Sequence, residues 1–481
     1  MNMHSTLRWI PALSALLALG CGSGGGGSGV GDGDITVGGI DRGGKTISVG
    51  PVTGFGSVIV NGVRYSTTGA SITVDDQPGS ESDLRVGQVV RVEGTLDAAG
   101  TTGTASSITF ADNVEGPVQA IDLAAARIVV VGQTVRIGPT TSFDDGIAPR
   151  SIEGLALGDV VEVSGLVGAD GVVAATRIER RSASTAVEVQ GTTSAVDTAA
   201  RRLRINLLVV DYSNAQVSNF PSGQPANGDL VEAHGVLNAS GELVATRIER
   251  RSVSLSGTVD DSAELEGLVT RFVSSADFDV AGQRVTTTAV TVYEGGSPGT
   301  LALDVKVEVE GGFDTAGRLI ARKVQFRQDS DVEISATVDS VNAAASSFQI
   351  LGITVRTNTL TRFEDQSSAD LERFGLTDLR AGDYLELRAY RDATGLVASL
   401  LERDDAEDRL EVRGPATAVA APSFSVAGVS ITTDAQTEFR DNNGVSITAA
   451  AFFSAAPGRD VEVRGRLVGN TVLAERAELE D

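Results

Sequence analysis

The sequence predicts an all-β protein: six tandem small antiparallel β-barrels of the OB type, about five strands each, after an N-terminal signal and a Gly-rich tether. Three observations carry this. One strand-like motif recurs six times at near-constant spacing, its apolar residues alternate with period two, and glycines stand at matching turn positions in nearly every copy. The chain has 481 residues, with 39 basic against 64 acidic side chains and a formal net charge of -25. One Cys and two His exclude a disulfide framework and a Cys-rich zinc module, and the charge excludes a polybasic nucleic-acid surface.

Residues 1–20 read as a signal peptide, with Arg8 followed by an apolar stretch from Trp9 to Leu19. That stretch is too short for a membrane span, which needs about 20 apolar residues. Gly20 before Cys21 resembles a bacterial lipoprotein cleavage site, with Ala18 where Leu is usual, so Cys21 is the expected lipidation residue. Residues 21–47 form the tether: positions 22–33 hold eight glycines and two serines, a flexible coil. Gly22 rather than Asp after the Cys directs such a protein to the outer membrane of a Gram-negative cell. Removing the signal takes away Met1, Met3, His4, Arg8 and Trp9, leaving His234 as the single histidine and 38 basic against 64 acidic residues.

Six units follow: residues 48–115, 116–189, 190–256, 257–332, 333–412 and 413–481. The motif opens at Gly87, Gly158, Gly228, Asp304, Gly382 and Gly458, and closes seven residues later at Gly94, Gly165, Gly235, Gly311, Ala389 and Gly465. Successive copies lie 71, 70, 76, 78 and 76 residues apart. Val161 and Val163 alternate with Val160 and Glu162, as in a strand buried on one face. A return strand follows a turn at Gly100, Gly171, Gly241, Gly317, Gly395 or Gly469-Asn470. Each unit opens on another hairpin, with structural turns at Gly62, Gly132, Gly282, Gly352 and Gly428, and Asn206 in the third unit.

Between the first hairpin and the motif lie 22 to 30 residues, read as a surface connection with a helical turn at 371–379 in the fifth unit. An open sandwich and strands shared between units are alternatives to the barrel. One large outer-membrane barrel is disfavoured, because spanning strands need about 9–11 residues and the runs are shorter. Units this small are marginal alone, so neighbouring units are expected to pack on one another.

Residues 50–65, the repeated L-x-x-G-D-x-V-E-V-x-G strand and the G-x-L-V-A-T-R-I-E return strand resemble the bacterial domain of unknown function 5666 family. The resemblance spans residues 48–480, and the run from Gly54 to Gly62 is its most specific piece. Leu207 and Leu208 in the third copy and Asp304 in the fourth depart from it, which marks those copies as degenerate. The family has no established activity or catalytic residues, so the resemblance implies only a lipoprotein of the cell envelope built from tandem copies.

Chemistry is sparse. His234 takes the place of Ser164 and Arg464 and reads as an outward polar residue rather than a general base, since no partner Cys or second His remains. Acidic residues end the third strand in several units: Asp75-Asp76, Asp144-Asp145, Glu294, Glu364-Asp365 and Asp441. Asp144, Asp145, Glu364, Asp365 and Asp441 are therefore candidates for a calcium site, although their spacing matches no EF-hand. No catalytic residue and no cofactor is expected. The reading is a non-enzymatic, lipid-anchored envelope protein, a repeat spacer or binding surface for envelope protein or polysaccharide. Its anchor is the membrane through the N-terminal lipid, and nucleic acid is not a partner. Cation or glycan binding through the acidic loops is one alternative, and a carboxylate-dependent hydrolase is another.

Overall fold

The computed structural model describes residues 45–480 apart from Gly56, Val253, Asp329, Glu372, Asp408, Arg409 and Asn443. The signal, Cys21 and the tether up to residue 44 lie outside the described residues. No helix among the described residues is long and apolar enough to cross a membrane.

The second unit shows how each barrel closes. Its first strand, Val114–Asp122, pairs antiparallel with the second, Arg127–Val130, which pairs with the third, Gln133–Phe143. The fourth, Val160–Val167, pairs antiparallel with the fifth, Val173–Arg180, and with the first. The remaining pair, third with fifth, is parallel, a departure from the purely antiparallel expectation. The long connection between the hairpins carries the chain across the barrel end, so the last strand runs alongside the third in the same direction. The other five units close through the same five pairings. The result is six five-stranded barrels with the OB strand order.

The opening residue of the motif is left-handed in every copy, from φ 62° at Asp304 to 96° at Gly382. Its amide donates to the first strand: Gly87 to the Val52 carbonyl at 2.8 Å, and Gly158 to Val118, Gly228 to Thr193, Asp304 to Val269, Gly382 to Val338 and Gly458 to Ala416, each at 2.9 Å. Asp tolerates this conformation better than most side chains, so the fourth copy is not degenerate; Asp304 makes the same bond. The closing glycine sits at a bulge between fourth and fifth strands. There a Cβ on Gly235 would lie 2.2 Å from the Val244 carbonyl oxygen.

Two expectations need correction. The first-hairpin turns have two left-handed residues, such as Asn61-Gly62 and Val131-Gly132, and the flanking pairs Val60↔Val63 and Ile205↔Leu208 put Asn206 at the first of these positions. Asn206, φ 50°, thus matches Asn61 rather than Gly62, and exposed Leu207 occupies the glycine's place. The third copy still closes. The helical turn expected at 371–379 is absent; the one α-helix among the described residues is Ala449–Ala455 in the sixth unit, capped by the Thr448 hydroxyl.

The units join in pairs through their first strands. Thr46–Gly54 of the first runs parallel to Ser262–Ser274 of the fourth. Val114–Asp122 meets Ala186–Asp197 antiparallel, joining units two and three, and Val332–Asn342 meets Leu410–Ala420, joining five and six. Two of the three seams are between chain neighbours, as expected, but the first unit pairs with the fourth. Units two and three share one continuous core, as do five and six, while Ile47 and Val49 of the first unit pack into the core of the fourth.

The first seam buries Glu264. Its Oε2 accepts from the Ser48 hydroxyl at 2.8 Å, and the Tyr65 hydroxyl lies 2.8 Å from the same Ser48 oxygen. Burial pushes Glu264 up to about 8; Glu308 and Glu310 add to the effect, against Ser48 and Lys323. Burial likewise pushes Glu308 up to about 7, against Arg327.

Replacing Gly235 by Ala is expected to cost about 1–3 kcal/mol, seen as a lower melting temperature, because the new methyl group meets backbone rather than a movable side chain. Both raised carboxyls favour the folded chain when protonated, so their contribution is complete below about pH 4.5 and is lost as pH rises through about 7 to 8. Thermal melts of Glu264→Gln should therefore lose part of the wild-type decline between about pH 4.5 and 8 and lie above wild type at the alkaline end.

Candidate functional site

A cleft of about 420 Å³ opens where the first, second and fifth units meet. The first unit supplies Phe55, Glu81 and residues 84–86; the second, residues 144–146 with Arg177 and Glu179; the fifth, residues 363–366 with Leu371 and Arg373. Four of the five sequence candidates, Asp144, Asp145, Glu364 and Asp365, line it together, because the third strands of units two and five end there. Asp441 does not; it begins a tight turn in the sixth unit and accepts the Val445 amide at 3.0 Å.

The cleft floor is a buried network of charged groups. Arg177 is 7% exposed. Its Nε donates to Glu179 at 2.6 Å and its Nη1 to the Val86 carbonyl at 3.2 Å, with Glu364 at 3.8 Å. Gln88 of the first unit donates to Glu179 at 3.3 Å, and the Val89 amide to the Ser164 hydroxyl at 2.8 Å. Arg362 reaches from the fifth unit into the second, donating to the Thr140 and Thr176 carbonyls, while Ser142 donates to Glu364. Burial opposes charge on Arg177, but Glu179 and Glu364 outweigh it and hold the guanidinium protonated; for Glu179 burial is in turn outweighed by Arg177.

The candidate carboxylates are engaged by protein donors. Asp144 accepts the Gly146 and Arg180 amides at 3.0 and 2.9 Å, and burial pushes its carboxyl up. Asp145 pairs with Arg150 at 3.1 Å, which also reaches Asp404 at 3.1 Å and the Gln366 carbonyl at 3.2 Å. Asp365 is held by Arg403 and accepts the Leu371 amide at 2.8 Å; against burial, these donors bring it down to about 2. At the mouth Arg373 meets Glu81 at 3.0 Å across units five and one, beside Phe55, Phe363 and Leu371. The cleft thus presents fixed charge pairs and an apolar rim.

His234 is on the outer sheet face, half-buried, with Nε2 2.6 Å from Glu232 and Nδ1 3.2 Å from Glu188. Burial alone would lower its pKa, but the bonds to these two carboxylates push it up to about 9. Both ring nitrogens are thus engaged, and Arg247 Nη2 also lies against Nε2. The network residues Arg177, Arg362, Gln88 and Ser142 carry no distinguishing sequence signal. Arg177 sits in the same T-R-I-E-R run as Arg247, which forms a separate cluster with Asp76 and Glu232.

The fold and this junction define a class: tandem five-stranded barrels fused in pairs, with a cleft created between units rather than within one. Six segments, residues 28–109, 115–179, 183–249, 266–325, 335–402 and 413–478, match the family described as Domain of unknown function (DUF5666), and the chain belongs to that family. No curated protein matches. A solved structure described as drosophila Unr CSD456 is similar over 45% of this chain and 97% of its own, at 12% identity and a TM-score of 0.11. At that score the fold rests on the strand pairings above.

Arg177→Met should cost about 3–5 kcal/mol in denaturant unfolding, because Glu179 and Glu364 stay buried without their counter-charge. Arg388→Ala, which removes a more exposed bond to the Pro139 carbonyl at 3.0 Å, should cost under about 1 kcal/mol in the same measurement.

Proposed function

We propose that this chain is a non-enzymatic lipoprotein of the cell envelope, anchored through an acylated Cys21, whose paired barrels present a binding surface to an envelope protein or polysaccharide. The observation that carries the reading is the order of residues 18–33: a small residue, Cys21 and twelve residues holding eight glycines, ahead of the first strand at Thr46. Multiple acyl chains anchor stably where a single one does not. The three-unit cleft supports a binding role, because the fifth unit, distant in sequence, completes a wall begun by the first two and the cleft's charges are already paired and fixed. The mature charge of 38 basic against 64 acidic residues disfavours polyanionic partners.

Fractionation tests the anchor. Wild-type protein should sediment with membranes and incorporate labelled palmitate, whereas Cys21→Ser should appear in the soluble fraction without label. Unchanged sedimentation of the variant would overturn the proposal.

A further inference from the structure

We propose that Asp112, Glu115 and Glu162 bind one divalent cation of the calcium class at the seam between the second and third units. The strand register creates the site: Glu162 of the fourth strand lies opposite Glu115 of the first, and Glu115 lies opposite Glu188 of the third unit. Three carboxylates thus stand in one row across three strands, an arrangement that destabilises a sheet unless something neutralises it. Oxygens of Asp112, Glu115 and Glu162 all lie within 4.8 Å of one another. Two oxygens on one calcium ion, each about 2.3–2.6 Å from it, are separated by up to about 5 Å, so a single ion can touch all three.

The second observation is independent of charge counting. Asp112 is 1% exposed, and its Oδ1 has no hydrogen-bond partner. Its backbone amide donates to Asp75 of the first unit at 3.2 Å, so the main chain that carries the unsatisfied side chain is anchored to a third barrel. A buried carboxylate oxygen left without a donor costs free energy, and a cation supplies what no protein group does.

The fourth unit shows the alternative solution. There Glu266 and Glu308 face each other across the same two strands, and Arg327 bridges both. In the second unit the equivalent Arg181 is bonded to Glu162 through Oε2 alone, with Glu179 at 3.6 Å. Glu188 is occupied with His234 at 3.2 Å. One guanidinium therefore answers a row that holds Asp112 and Glu115 as well. The donors are all carboxylate oxygens, which favours a hard cation over zinc, and Glu115 is only half-buried, leaving a route for ion and water.

Calcium titration of the full-length chain, stripped of metal and held at about pH 7.5, tests this by calorimetry and by thermal melting. The wild type should bind one calcium ion per chain and melt higher with calcium than with chelator. Asp112→Asn should weaken binding roughly tenfold or more, lose the calcium-dependent shift, and in chelator melt at or above wild type, because a buried like charge is gone. Glu115→Gln, at a more exposed position, should lose the shift in the same way if the first variant does not fold. The proposal is overturned if wild type shows no calcium-dependent shift, if folded Glu115→Gln keeps it, or if Asp76→Asn, in the neighbouring Asp76–Glu232–His234 cluster, abolishes it instead.

Discussion

The first strand of each barrel is longer than the second strand can cover, and that mismatch organises the molecule. In the fifth unit, residues 332–337 pair with the fourth strand on one edge, while on the other edge the second strand takes only residues 338–342. Residues 333–335 would be left with bare amides and carbonyls, a template for uncontrolled association. The same half-edge of the sixth unit covers them. Because each barrel carries this half-edge, the units combine two by two, and six copies give three seams. Pairing also addresses size: a unit of about 70 residues supports only a thin core, whereas units two and three, and units five and six, each bury a continuous one across their seam.

A second level of organisation is electrostatic. The motif places a glutamate on the outer face of the fourth strand in most copies, at Glu162, Glu232, Glu308, Glu386 and Glu462. An isolated barrel would leave that row in water. In the folded chain four of these glutamates meet different cations of their own unit: Arg181 for Glu162, Arg251 and His234 for Glu232, Arg327 for Glu308, Arg476 for Glu462. The junction of units one, two and five is the densest case, with Arg177 and Arg362 buried among carbonyls and carboxylates of other units. Buried ion pairs contribute little net stability over a well-packed apolar substitute, but they penalise any other arrangement of the same groups. They help specify which units meet.

Strand positions and turns were legible in the sequence because they depend on local backbone geometry. A left-handed residue is required where the fourth strand opens; glycine satisfies it in five copies and Asp304 in the fourth unit. Asn206 was harder to place, since Asn and Gly both accept positive φ and only the pairing of Ile205 with Leu208 fixes which turn position it holds. The helical turn expected at 371–379 did not form; in the sixth unit a helix forms at Ala449–Ala455, where an alanine-rich run follows a Thr cap and Phe452 packs on Phe424 and Phe439. The acidic strand ends were visible as a recurring feature. Their gathering into one cleft was not, because Asp144 and Glu364 lie in units separated by two others along the chain.

The sequence by itself determined the repeat, the five strands of each barrel and the turns between them, since period-two burial and positive φ are written into consecutive residues. Only the tertiary structure decided that the first unit pairs with the fourth, that Arg177 serves Glu364, and that Asp112, Glu115 and Glu162 converge. Near-identical units present near-identical edges, so local pattern cannot choose among partners. That choice falls to the charges and side chains brought together once the barrels have closed.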